Sequence, residues 1–186
     1  ILAKALLARR YGCVRPALRR DGRVALRGLL HPQVAHDLEE RGEAFTPVDL
    51  TLERGCTVIT GANMGGKTVS LRAVTLALLL CQCGFFVFAQ AAQLPLFHRV
   101  ALILADSGPG QGGLSSFGGE IHALDTLLRE SRGTFFFLAL DEFARGTNPQ
   151  EGAALARTLA RYLNGLDCVA LMTTHYDGVS DAAAAH

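Results

Sequence analysis

Apolar and polar positions along the chain switch repeatedly between the spacing of a helix and the spacing of a strand. Apolar residues at Ile1, Ala5 and Ala8 and at Leu2 and Leu6 predict a short helix over residues 1–10, and Pro16 stops anything regular after it. Residues 23–30 alternate loosely and predict a strand. Residues 32–41 predict a helix, with Pro32 suited to its first turn and Gly42 to its end. The β-branched run 57–60 predicts a strand and 68–83 a helix. Strands follow at 85–89 and 100–105, then a helix over 119–132 with Ile121, Leu124, Leu127 and Leu128 on one face. A buried strand over 134–140, a helix over 150–163 and a last strand over 168–173 complete the series. Strands alternating with helices predict an α/β fold: three layers around a central, mainly parallel sheet with helices on both faces.

Two stretches depart from this rhythm. Residues 107–119 are rich in glycine and predict a long loop of the kind that often carries function. Residues 73–98 are apolar and uncharged until His98, long enough to raise a membrane helix. Gln82, Gly84, Gln90, Gln93 and Pro95 interrupt the run, so a buried helix followed by a buried strand explains it better, and no membrane partner is expected.

Composition narrows the classes further. The chain has 186 residues, 49% hydrophobic and 19% charged, which suits a globular domain with a sizeable core and not a disordered chain. Without tryptophan and with few aromatics, a stacking platform for single-stranded nucleic acid is not indicated. The net charge of +1 does not advertise a polyanion partner. Lys4, Arg9, Arg10, Arg15, Arg19, Arg20, Arg23 and Arg27 nevertheless crowd the N-terminus against Asp21 alone. That run reads first as a solvated face, with a contact patch for nucleic acid or an acidic partner as the alternative. Cys13, Cys56, Cys81, Cys83 and Cys168 contain no C-x-x-C pair and read as reduced thiols of a cytoplasmic protein. The first residue is Ile1, and nothing there resembles a signal peptide.

The strongest chemical signal is Gly61-Ala62-Asn63-Met64-Gly65-Gly66-Lys67-Thr68, which satisfies G-x-x-x-x-G-K-[ST] at every fixed position. Glycines let backbone N–H groups curl around phosphate oxygens, and the following helix points its positive end at the same anion. Lys67 is then expected to reach the β- and γ-phosphates of ATP, and the Thr68 hydroxyl to ligate Mg²⁺, with Val69 beside the same nucleotide. A chance match in a chain of this length is on the order of 1%. A second signal is the buried strand ending in Asp141-Glu142. Beside a phosphate loop, the first carboxylate is expected to hold Mg²⁺ and the second to orient or deprotonate the attacking water. His175 follows a strand, at the edge where ligands sit in such sheets, and is a γ-phosphate candidate; by itself it reads as a surface histidine. Ser115 and Ser116 open a helix, where hydroxyls and free N–H groups either cap it or form a second anion site.

Together these motifs resemble the ATPase domain of the MutS family, within the ABC-type ATPases. T-G-A-N-M-G-G-K-T is similar to T-G-P-N-M-G-G-K-S, L-S-S-F-G-G-E to the signature S-T-F-x-x-E, and L-D-E-F-A-R-G-T-N-P-Q-E-G to D-E-I-G-R-G-T-S-x-x-D-G. T-T-H-Y is similar to A-T-H-Y, and His31-Pro32 and Phe45-Thr46-Pro47 resemble the H-P and F-x-P elements upstream. The likeness runs from about residue 24 to residue 177.

The resemblance implies a homodimer in which Ser115 and Ser116 contact the γ-phosphate of ATP held by the second subunit. It also implies Phe45 against the adenine, Gln90 near a switch position, and residues 145–148 crossing the dimer interface. The departures at Ala62, Phe143-Ala144 and residues 148–151 remove no catalytic group. They bear on the branch: a mismatch-repair protein binding DNA through domains outside this chain, or a relative that reactivates a metabolic enzyme such as a cobalamin-dependent aminomutase without DNA. Residues 1–23 are expected to be the end of an upstream domain, and 24–186 an ATPase domain cut short at its C-terminus.

Overall fold

The computed structural model describes residues 2–61, 66–104, 116–176 and 178–184. In chain order the first half holds α1 (Leu2–Arg10), β1 (Ala17–Arg19), β2 (Val24–Leu29), α2 (Pro32–Glu40), β3 (Val48–Leu52), β4 (Gly55–Thr60) and α3 (Lys67–Gln82). The second holds β5 (Ala91–Pro95), β6 (Arg99–Leu104), α4 (Ser116–Glu130), β7 (Phe136–Asp141), α5 (Pro149–Asn164), β8 (Cys168–Thr174) and α6 (Val179–Ala184). The fold is α/β. Its strands divide between two four-stranded sheets, where the sequence pattern predicts one central sheet. The chain forms two compact units, residues 1–53 with 72–96, and residues 54–71 with 97–186.

In the first unit the sheet order is β1-β5-β2-β3. β1 runs parallel to β5, and β2 runs antiparallel to both β5 and β3. α2 begins where sequence predicts: His31 caps it through Nδ1, which accepts from the Val34 N–H, and Pro32 fills a position that needs no N–H. Gly42 follows the helix with φ 74°.

The predicted strand 85–89 is corrected. Gly84 turns the chain after α3, Phe85 and Phe86 stay partly exposed, and only Val87 makes a single bridge, with Val14. The strand begins at Ala91, where Ala92 and Leu94 alternate inward. Apolar character placed the strand over the phenylalanines, but hydrogen bonds to β1 and β2 place it over the weaker Ala-Ala-Gln-Leu-Pro pattern.

In the second unit the sheet order is β4-β8-β7-β6, all parallel. Parallel neighbours need crossover connections, and α4 and α5 lie between successive strands to provide them. β7 and β8 are central and buried nearly throughout, which explains their unbroken apolar runs. Leu124 and Leu127 of α4, and Ala156, Leu159, Ala160 and Leu163 of α5, pack with Phe136, Leu138, Ala170 and Met172 in one core. Asn148 caps α5 by accepting from the Gln150 N–H at 2.9 Å, and Pro149 opens it. All five cysteines are unbridged, and burial pushes the Cys56 and Cys168 thiols up to about 12. Among the described residues no helix is long and apolar enough to cross a membrane.

Candidate functional site

Strand order brings distant motif residues to one edge of the parallel sheet. β4 ends at Thr60 before Gly61, β7 ends at Asp141 before Glu142, and β8 ends at Thr174 before His175. All three strands run the same way, so these residues share the carboxyl edge, where α/β sheets take their ligands.

Gly61 (φ 134°) and Gly66 (φ 74°) adopt backbone conformations that favour glycine, one at each end of the candidate glycine-rich motif. Ala62, Asn63, Met64 and Gly65 lie outside the described residues. Lys67 opens α3 and is 6% exposed, with its ammonium donating to the Gly61 carbonyl. A buried ammonium held across a strand-to-helix turn, at the positive end of a helix, is suited to an anion. Thr68 follows, and its Oγ1 donates to Asp141 Oδ1 at 3.0 Å, joining residues 73 apart in the chain. A hydroxyl and a carboxylate at this separation are hard oxygen donors of the kind magnesium takes together with waters and phosphate oxygens, so the residues fit that ion. Val69 is half-buried one position further along α3.

The acidic pair is fixed from β8. Thr173 is fully buried; its Oγ1 donates to Asp141 Oδ1 at 2.8 Å and accepts from the Glu142 N–H at 2.9 Å. Glu142 has φ 48° and little exposure, and its Oε2 pairs with Arg145 Nη1 at 2.7 Å. Ala144 has φ 64°. Its N–H donates to Glu120 Oε2 at 3.2 Å, and its carbonyl accepts from Tyr176 Oη at 2.9 Å. Burial raises the Glu120 carboxyl above the usual range, with the Ala144 N–H opposing. Burial also raises the Tyr176 phenol, and the charges of Glu120 and Glu142 add to it.

His175 is exposed, with its ring 4.2 Å from that of Tyr176. Ser116 is the first residue of α4, while Ser115 lies outside the described residues. Phe45, half-buried before β3, and Gln90, just before β5, belong to the first unit, whereas Lys67, Thr68, Asp141, Glu142 and His175 belong to the second. Motif reading gave no role to Thr173, Tyr176 or Glu120. Glu120 and Tyr176 stand at matching positions of the signature-like and T-T-H-Y segments, which was their signal, whereas Thr173 stands where the second motif has alanine.

The family model for MutS domain V matches residues 57–186. The DNA mismatch repair protein MutS of Thermus thermophilus is 38% identical over 174 residues, covering 94% of this chain and 20% of that protein. The DNA mismatch repair protein MutS of Natronomonas pharaonis is 35% identical over 185 residues, 99% of this chain and 21% of that protein. Endonuclease MutS2 of Caldicellulosiruptor saccharolyticus is 32% identical over 179 residues, 95% of this chain and 22% of that protein. The chain thus spans about a fifth of the length of the curated relatives it matches.

Proposed function

As the chain belongs to the MutS domain V family, we propose that it is an ATP-driven switch that binds ATP with Mg²⁺ and hydrolyses it. The observation that carries this reading is the meeting of Lys67, Thr68, Asp141 and Glu142 at one sheet edge, joined by the Thr68–Asp141 hydrogen bond. A parallel sheet whose first strand leads through a glycine turn into α3 supports a P-loop ATPase fold of the ABC type.

Lys67 draws the β- and γ-phosphates into the turn, exchanging the Gly61 carbonyl for phosphate oxygens. Thr68 and Asp141 hold the metal ion, whose charge, when it is bound, offsets charge developing on the transferring phosphoryl group. Glu142 orients the attacking water and accepts its proton. His175 senses the γ-phosphate from the end of β8. Val69 and residues 61–66 complete nucleotide recognition within the second unit. Ser115 and Ser116 act on ATP held by a second copy. In the longer protein, the switch serves recognition of mismatched DNA, as the names of the matched proteins support.

Steady-state phosphate release, with and without mismatched duplex DNA, tests the reading. Glu142→Gln is expected to retain ATP binding while turning over at least about 100-fold slower. Lys67→Ala is expected to lose nucleotide binding. Parent-like turnover in Glu142→Gln reassigns the base, and unchanged affinity in Lys67→Ala overturns the phosphate-loop assignment. Turnover by the full-length protein that ignores mismatched DNA points to a protein partner.

A further inference from the structure

Glu142 and Ala144 are the non-glycine residues with positive φ among the described residues, at 48° and 64°. An L-residue keeps that conformation only where its surroundings over-determine it. At Ala144 the surroundings are specific. The residue is wholly buried, and both polar groups of its backbone are taken by side chains from elsewhere in the second unit. Glu120 comes from the second turn of α4 and is 5% exposed; Tyr176 follows β8 and is 7% exposed. Burying a carboxyl and a phenol is costly unless they are hydrogen-bonded, and here each meets the same strained residue. The Thr147 N–H adds a third contact, to the Ala144 carbonyl at 3.3 Å.

Space has been left for this arrangement. Gly152 of α5 faces the Tyr176 ring, where an added Cβ would sit 2.7 Å from Cζ and 3.1 Å from the Ala144 carbonyl oxygen. The backbone of α5 at Gly152 thus comes close to the hydroxyl end of the ring, where that hydroxyl bonds the Ala144 carbonyl. Ala144 lies two residues beyond Glu142, inside the turn that begins at Glu142 and returns at Arg145, whose N–H donates to the Glu142 carbonyl at 3.1 Å.

We propose that Glu120 and Tyr176 are positioning residues that hold Ala144 by its N–H and by its carbonyl and thereby keep Glu142 in the conformation that aims its carboxylate. This rests on the reading of Glu142 as the general base. Neither side chain is assigned a contact with the nucleotide; both act through the backbone of the turn.

The test uses the 186-residue chain. Tyr176→Phe removes the hydroxyl and keeps the ring. Glu120→Gln keeps an acceptor oxygen, and Glu120→Leu does not. Ala144→Gly lets the turn adopt its conformation without help. Tyr176→Phe is expected to lower kcat about 10-fold, with KM for ATP within about 2-fold, as misaimed rather than missing chemistry does. Glu120→Leu should match it, and Glu120→Gln should stay near the parent. Adding Ala144→Gly to Tyr176→Phe should recover at least about 3-fold of the lost kcat. The proposal is overturned by a Tyr176→Phe kcat within 2-fold of the parent (roughly the scatter of a non-coupled site), by equal losses in Glu120→Gln and Glu120→Leu, or by no recovery with Ala144→Gly. Thermal denaturation separates this failure from failure of the base assignment. If the parent shows no turnover, the base reading falls, while the hold on Ala144 still predicts a smaller Tm loss from Tyr176→Phe in the Ala144→Gly background. Equal Tm losses in both backgrounds sink the proposal.

Discussion

The Thr173 hydroxyl accepts from the Glu142 N–H and donates to Asp141 Oδ1, so one side chain of β8 sets both acidic residues of β7's end. Thr173→Val keeps the shape and removes both bonds, leaving a buried N–H without its acceptor, at a cost of about 1–3 kcal/mol. Loss of the same hydroxyl frees Asp141 to turn away from Thr68. Thr173→Val is therefore expected to lower both the urea midpoint and ATP turnover, and Thr173→Ser to restore both. A valine variant with parent-like stability and turnover would mean that the carboxylates are held by other contacts. The sequence offered little warning of this residue, because the resembling motif has alanine there and a threonine in a buried strand reads as ordinary β-branched packing. Ala144 is the converse case: it stands where the motif has glycine, and φ 64° shows why glycine suits the position. Lys67, Thr68, Asp141 and Glu142 could be singled out as candidates because phosphate and magnesium chemistry demands fixed residue types at fixed spacing. The residues that aim them were not, since a hydrogen bond to a backbone group can be supplied from many positions.

At the scale of elements, legibility followed the strength of the local signal. α5 was readable as a helix over 150–163, one residue short at each end, and β7 as a buried strand from its unbroken apolar run. β1 has three residues after a proline and exists because β5 offers it a parallel edge, a fact no local pattern contains. β3 and the short α6 were also missed: Val48, Leu50 and Leu52 alternate with Asp49 and Thr51 over only five residues, and the six residues of α6 carry too little periodicity. The same limit decides the sign of a substitution in α5. Helix propensity alone predicts that Gly152→Ala stabilises by about 1 kcal/mol. The close approach of Tyr176 and the Ala144 carbonyl predicts the opposite, because the ring is buried and tied by its hydroxyl to that carbonyl, so it cannot yield as a flexible side chain can. A net loss of about 1–3 kcal/mol is expected from overpacking, read as a lower Tm in thermal denaturation. A raised Tm would mean that the Tyr176 ring moves aside at no cost.

At the scale of the whole molecule, the parallel sheet gathers Lys67, Thr68, Asp141, Glu142 and His175 into one unit, while Phe45 and Gln90 belong to the other. Alternation of strands and helices pointed to an α/β chain but could not divide its strands between two sheets, because pairing partners are set by tertiary contacts. The assembly follows from the proposed division of labour. If Ser115 and Ser116 serve ATP on a second copy, two chains close on each other only while the γ-phosphate is present. A variant that keeps ATP without cleaving it should then trap the closed form. Glu142→Gln with ATP and Mg²⁺ is expected to sediment at twice the monomer mass, and to return to a monomer with ADP or when Lys67→Ala is added. The parent should dimerise only transiently, as hydrolysis removes the group that both copies grip. A Glu142→Gln protein that stays monomeric with ATP bound would overturn the shared site, and would leave Lys67, Thr68, Asp141 and Glu142 to act within a single copy.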